Sequence, residues 1–197
     1  GAGIAGLTLG LTLHQIGVPF RIYEKTAELT PLGVGINLQP NAVRELLDLG
    51  LEAMLDEVGI RTREYGFYSK SGREIWVEPR GTWAGYRWPQ YSVHRGHLQM
   101  ALLAALLERA GPDSVVTGHR AVGFENTDSE AVLHLENDKD RLSVAGDLIV
   151  AGDGIHSAIR SQMYPDEGVA RLKPGHSVPV RQWPWPDTTA SALLFTR

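Results

Sequence analysis

The 197-residue sequence contains no cysteine. That absence excludes disulfides, thiolate metal sites, iron–sulfur clusters and a cysteine nucleophile together. There is no run of about 18 uninterrupted apolar residues such as a membrane span needs, and no signal peptide is visible. A membrane is therefore not an expected partner, and a cytoplasmic location is the expectation. Neither sign of charge dominates: 19 Lys and Arg against 23 Asp and Glu leave a formal net charge of −4, without long runs of one sign. Nothing in that distribution attracts a phosphate backbone, so nucleic acid is not an expected partner either. The seven histidines show no spacing of the HExxH kind, so no metal centre is expected.

What is present is a globular composition, 43% apolar and 21% charged, enough for a core in one domain or one and part of another. Ile4 to Gly17 is apolar on most faces, which suits a helix buried against a sheet and stopped by Gly17. Phe20 to Tyr23 reads as a short strand ending at Glu24. Helices are expected over residues 39–50 and 52–58, and a strong amphipathic one from His97 to Ala110, closed by Gly111. Lys70-Ser71-Gly72-Arg73 between two apolar runs signals a hairpin. Three strand-like runs, at 119–125, 131–136 and 141–144, suggest a β-meander. The apolar run Asp147 to Ala151 reads as a buried strand, followed by a helix from Ile155 to Met163. The order β-α-β, excursion, return is a nucleotide-binding α/β layout with an insertion.

Gly1-Ala2-Gly3-Ile4-Ala5-Gly6 carries the first chemistry. In a GxGxxG turn the first glycine allows a tight bend, the second lets backbone approach a pyrophosphate, and the third lets helix pack closely on strand. The helix N-terminus then offers free N–H groups to the anion. Glu24 follows Gly6 by 18 residues, at the end of the next strand, where a carboxylate can accept hydrogen bonds from both ribose hydroxyls of an adenosine. An acid there disfavours a 2′-phosphate, so the tightly held cofactor is FAD or NAD rather than NADP. Such a turn ordinarily follows a buried strand, and Gly1 is already the first glycine, so the first strand is expected to be missing. Residues 169–197, with Lys173-Pro174-Gly175 and Trp183-Pro184-Trp185-Pro186, form an atypical tail, either a Pro-rich loop or truncated or frame-shifted sequence.

The segment Asp147 to Arg160, with Gly152-Asp153-Gly154 after the apolar run and Ser157 and Arg160 beyond, resembles the "DG" motif of the class A flavoprotein monooxygenases. These are the aromatic hydroxylases of the para-hydroxybenzoate hydroxylase type. The resemblance extends to Gly33-Val34-Gly35-Ile36-Asn37-Leu38-Gln39-Pro40-Asn41-Ala42-Val43-Arg44 and to Pro89-Gln90-Tyr91-Ser92-Val93-His94-Arg95-Gly96-His97-Leu98-Gln99. It covers residues 1 to about 168, and within the family it is most similar to the phenazine hydroxylase branch.

The resemblance implies a Rossmann-like FAD-binding fold over residues 1–168, with a β-meander and part of a substrate domain inserted at about 60–90. It implies FAD as cofactor and NADPH or NADH as co-substrate, with reduced flavin activating dioxygen to hydroxylate a small aromatic substrate. Gly1, Gly3, Ala5 and Gly6 would hold the pyrophosphate, and Glu24 with Lys25 the adenosine end. Arg95 would meet the phosphates or ribityl chain, Gly35 the flavin ring, Arg44 a further part of the cofactor, and Val122 the adenine through its backbone. Asp153 would approach the ribose and pyrophosphate, or alternatively cap the helix at Ile155. Arg160 would hold the DG loop. The exposed reading of Arg44, as a helix-surface partner of Glu45, stays open. Family members are roughly twice this length, so this fragment is expected to bind FAD poorly and to hydroxylate nothing. A related FAD oxidase or dehydrogenase, a non-catalytic nucleotide-binding module and a molten gene remnant are the alternatives. Tyr65, Phe67, Tyr68, Trp76, Trp83, Tyr86 and Trp88 are expected mostly in a core or domain interface.

Overall fold

The computed structural model describes residues 1–167. Helix α1 runs Ile4–Gln15 and buries Leu7, Leu11 and Leu13. Its Gly10 lies so close to its neighbours that an added Cβ would sit 3.0 Å from Ile22 and 3.2 Å from Leu106. The small residue thus lets α1 seat on strand β1 (Ile22–Tyr23) and on helix α4 (Arg95–Ala110). β1 pairs in parallel with β7 (Val115–Val116), Ile22 opposite Val115. The pairing is prolonged past the strand by Glu24 N–H to Val116 O at 2.8 Å and His119 N–H to Glu24 O at 2.8 Å.

A second sheet has the order β2-β6-β3, from Gly35–Leu38, Tyr91–His94 and Gly59–Arg61, all antiparallel neighbours. Its Tyr91 and Val93 turn inward, while Ser92 and His94 alternate to the other face, the two-residue period of a half-buried strand. Helices α2 (Pro40–Asp48) and α3 (Glu52–Val58) lie beside it; α2 starts with Pro40 at a position where the missing N–H costs nothing. Leu7, Leu11, Val43, Leu55, Tyr91, Leu98, Leu102 and Leu106 make one core. Each fully buried leucine there contributes roughly 1.5–3 kcal/mol. Arg61 and the Tyr91 hydroxyl both reach Asp56, at 2.7 and 2.6 Å, and so join α3 to β3 and β6. Burial, with the Asp56 carboxylate beside it, pushes the Tyr91 hydroxyl up to about 12.

Strands β4 (Glu64–Tyr68) and β5 (Glu74–Pro79) form the expected hairpin as a sheet of their own. Of the seven aromatic residues only Trp88 packs on the core, while Tyr65, Phe67, Tyr68, Trp76, Trp83 and Tyr86 are exposed among the described residues. The two-stranded hairpin has no second layer to bury Tyr65, Phe67, Tyr68 and Trp76.

The meander is present as β8 (Arg120–Asn126), β9 (Ala131–Glu136) and β10 (Arg141–Gly146). Leu133 and Leu135 pack with Ile149 and Ile159 as a second core. The run Asp147 to Ala151 forms no ladder among the described residues, although Ile149 is buried. Between it and β1 runs an apolar groove lined by Leu9, Leu13, Phe20, Ile22 and Val150. Helix α5 begins at Ala158, later than expected, because the Ser157 hydroxyl caps it by accepting the Arg160 N–H at 2.9 Å. The expected tail at 169–197 lies outside the described residues.

Candidate functional site

The turn Gly1 to Gly6 leads straight into α1, whose N-cap Gly3 offers no side-chain cap. The three glycines differ in what they tolerate. A Cβ at Gly6 would fall 1.9 Å from Gly1 O, and one at Gly1 would fall 2.7 Å from Gly152 O, so both positions are fixed by protein packing. At Gly3 an added Cβ would meet nothing within 4 Å, and the backbone there is ordinary extended chain. Glycine at position 3 is therefore not demanded by the protein itself. Its open space lies beside an uncapped helix N-terminus, which is the cradle a phosphate group needs.

Glu24 points into this turn. Its Oε2 accepts the Ala2 N–H at 2.7 Å and its Oε1 accepts the Thr26 N–H at 2.9 Å, while the residue itself is buried. Burial pushes the carboxyl up, but the Thr26 and Ala2 N–H groups outweigh it and hold Glu24 below the usual carboxylate range. A carboxylate has about four lone-pair sites, so each oxygen can accept one bond more. From the other side, Gln99 of α4 donates to Ala2 O at 2.8 Å. Ala2 is thus held at its N–H by Glu24 and at its carbonyl by Gln99.

Asp153 stands at the same place. Its neighbour Gly152 abuts Gly1, where an added Cβ would fall 2.7 Å from Gly152 O. Asp153 Oδ2 accepts the Ile159 N–H at 3.4 Å, whereas Oδ1 is buried with no partner among the described residues. A buried carboxylate oxygen with no hydrogen bond costs on the order of 1–3 kcal/mol, which a donor such as a ribose hydroxyl would recover. Asp153 thus takes one N–H of the first turn of α5, beside the N-cap Ser157, which takes the Arg160 N–H.

The remaining residues are placed as follows. Arg95 opens α4, and its N–H donates to Val34 O at 3.0 Å; a Cβ on Gly33, at φ +136°, would lie 3.2 Å from its Cβ. The loop before β2 is thereby pinned to the start of α4, and Gly35 pairs with His94 in register. Val122 is the extra residue where the β8–β9 register shifts, between Ala121 and Gly123, so its backbone is left out of the ladder. Lys25 is exposed next to Glu24. Arg44 lies exposed on α2, paired with Glu45 and 5.7 Å above the Trp88 ring, with no contact to Glu24 or Asp153. Arg160 pairs with Glu167. Sequence reasoning took in Gln99 only as the last residue of the 89–99 segment and gave it no role, because its partner lies 97 positions away.

An open glycine turn, a buried acid across from it and an orphaned aspartate together define a dinucleotide-binding α/β module. The chain matches the FAD binding domain family over residues 1–194 and belongs to that family. It is 45% identical over 170 residues to phenazine 1,6-dicarboxylic acid hydroxylase of Lysobacter antibioticus, covering 84% of this chain and 42% of the relative. To 3-amino-4-hydroxybenzoate 2-monooxygenase of Streptomyces cremeus it is 35% identical over 170 residues, 84% of this chain and 41% of the relative. The crystal structure of Klebsiella pneumoniae HpxO complexed with FAD and uric acid superposes with a TM-score of 0.67 at 28% identity, over 82% of this chain and 40% of that one. The fold is also that of p-nitrophenol 4-monooxygenase from Pseudomonas putida, at TM-score 0.74 and 17% identity, over 83% and 42% of the two chains. The chain spans about two-fifths of the length of the curated relatives it matches. No helix of the described residues is long and apolar enough to cross a membrane.

Proposed function

We propose that this chain is the FAD-binding part of an NAD(P)H-consuming monooxygenase that hydroxylates an aromatic or heteroaromatic substrate. The observation that carries the cofactor reading is the buried Asp153 Oδ1, without a partner among the described residues, beside a glycine turn whose Gly3 faces open space. In this reading the α1 N-terminus takes the pyrophosphate, Glu24 takes the ribose hydroxyls, and Asp153 takes a donor of the cofactor or a bridging water. Arg95 sets its fixed, always-charged fork against the phosphate or ribityl region. Bound FAD supplies the redox chemistry that turns NAD(P)H and dioxygen into a hydroxylating agent. The protein's own share is binding and orientation: Gln99 and Glu24 fix the turn, and the loop pinned by Arg95 sets where the ring can lie. The phenazine 1,6-dicarboxylic acid hydroxylase and the 3-amino-4-hydroxybenzoate 2-monooxygenase, together with 6-hydroxynicotinate 3-monooxygenase of Pseudomonas fluorescens, are named for aromatic or heteroaromatic acids, which supports that substrate class.

Titration of the chain with FAD, followed by flavin and tryptophan fluorescence, tests the reading. Saturable but weak binding that Asp153→Ala and Glu24→Ala abolish is expected, with no hydroxylation by the chain alone. Absence of saturable binding, or binding indifferent to both substitutions, would overturn the cofactor assignment. In the whole enzyme, incorporation of labelled dioxygen into product separates a monooxygenase from an oxidase or dehydrogenase of the same fold.

A further inference from the structure

The open face of the β2-β6-β3 sheet holds a second concavity, bordered by Gly35, Asn37, Val58, Ile60, Ser92 and His94. Its polar groups are ordered by one another. Ser92 Oγ donates to Asn37 Oδ1 at 2.7 Å; this uses its one proton, so the Thr62 hydroxyl, 2.8 Å away, is the donor to Ser92. The Asn37 carbonyl is thus occupied, and its Nδ2 keeps two N–H groups with no partner among the described residues. His94 is ordered in a parallel way. Its Nδ1 accepts the His97 N–H at 3.4 Å as the cap of α4, which leaves the neutral ring's proton on Nε2.

Asn37 lies opposite Ser92, and Ser92 and His94 alternate onto the same face, so Asn37 and His94 are diagonal neighbours across two strands. Such positions are roughly 7–8 Å apart, close enough for both side chains to converge on one small group. Between them Gly35 carries no side chain, and a Cβ there would meet nothing within 4 Å. Ile60, 75% exposed, and Val58 give the concavity an apolar side. Among the described residues no carboxylate lines it.

We propose that this face is a substrate shelf, on which Asn37 Nδ2 and His94 Nε2 bind the carboxylate of an aromatic acid while Ile60 and Val58 support its ring. Two oriented donors without an opposing anion match a two-oxygen acceptor, and the apolar flank matches the ring. Ser92 and Thr62 are positioning residues: they hold the Asn37 amide with its donors outward. The shelf begins where the loop pinned by Arg95 ends, which puts the acid beside the flavin ring; this placement rests on the proposed function.

The test uses the full chain, 15N-labelled, with FAD present and its binding followed separately by fluorescence. 4-Hydroxybenzoate is titrated in, with phenol as the probe lacking the carboxylate. The acid should shift the Asn37 side-chain amide and His94 ring signals saturably, and phenol should not. Asn37→Asp keeps an acceptor for Ser92 and replaces only the outward donors, so it should weaken the acid about tenfold or more without loss of folding. Ser92→Ala frees the amide to rotate and should weaken the acid less than Asn37→Asp does. Equal shifts with phenol, no saturable shift, or undiminished affinity in Asn37→Asp would each overturn the shelf. Failure of the flavin reading would instead appear as absent FAD binding, which leaves the comparison of the two probes intact.

Discussion

Replacing Gly3 and Gly6 by alanine separates what the fold needs from what the ligand needs. Gly3 sits at φ −74° and ψ 175°, a conformation any residue adopts, and its added Cβ touches nothing. Gly3→Ala should therefore leave stability unchanged or raise it by about 0.4–1 kcal/mol, through the lost freedom of the unfolded chain. Gly6 is the opposite case. Its Cβ would lie 1.9 Å from Gly1 O, far inside contact distance, and the obstacle is backbone that cannot swing aside. Overpacking of this kind costs about 1–3 kcal/mol, so Gly6→Ala should unfold at clearly lower denaturant. For FAD the order reverses in interest: the methyl of Gly3→Ala fills the space where the pyrophosphate would approach the α1 N–H groups. Losing one or two charge-assisted bonds, at about 1.5–3 kcal/mol each, lowers affinity roughly tenfold or more. Urea unfolding and FAD titration on the two variants check this. Unchanged FAD affinity in Gly3→Ala would refute the cradle, and full stability in Gly6→Ala would refute the packing of the turn.

Glu24, held below its ordinary value, contributes stability that is present above the unfolded glutamate value of about 4.3 and lost as pH falls through the lower folded value. The stability gap between the parent and Glu24→Gln, from denaturant unfolding at stepped pH, should close on the acid side of about pH 4; a gap that widens there contradicts the assignment. The Tyr91 phenol should ionise only near 12 by ultraviolet titration of the folded chain, and Tyr91→Phe should cost about 1 kcal/mol of stability, because Asp56 keeps Arg61 as a partner. Gln99→Leu should reduce FAD affinity while α4 stays folded by far-ultraviolet circular dichroism, because it releases only the Ala2 carbonyl.

Segments whose pattern is local were legible in the sequence. α1, α3, α4, the hairpin and the meander strands lie within a few residues of where periodicity and turn residues put them. The strands β2, β3, β6 and β7 went unread because each has two to four residues, too few for alternation to stand out. They exist through partners distant in sequence, such as Ile36 opposite Val93. The opposite error occurred at Asp147 to Ala151, where an apolar run reads as a strand yet has no ladder among the described residues. A strand is a pairing as well as a pattern. In the site, Glu24 was legible because its distance from the glycine turn is set by one helix and one strand. The Ala2 brace from Gln99 and the bulge at Val122 were not, because both are fixed by tertiary contact.

A crystal structure of the chain grown with FAD tests the central claim most directly. The account predicts the pyrophosphate against the α1 N-terminus at Gly3, the adenosine ribose hydroxyls on the Glu24 carboxylate, and a donor or bridging water on Asp153 Oδ1. A dinucleotide bound elsewhere, or one whose ribose faces away from Glu24, would contradict it.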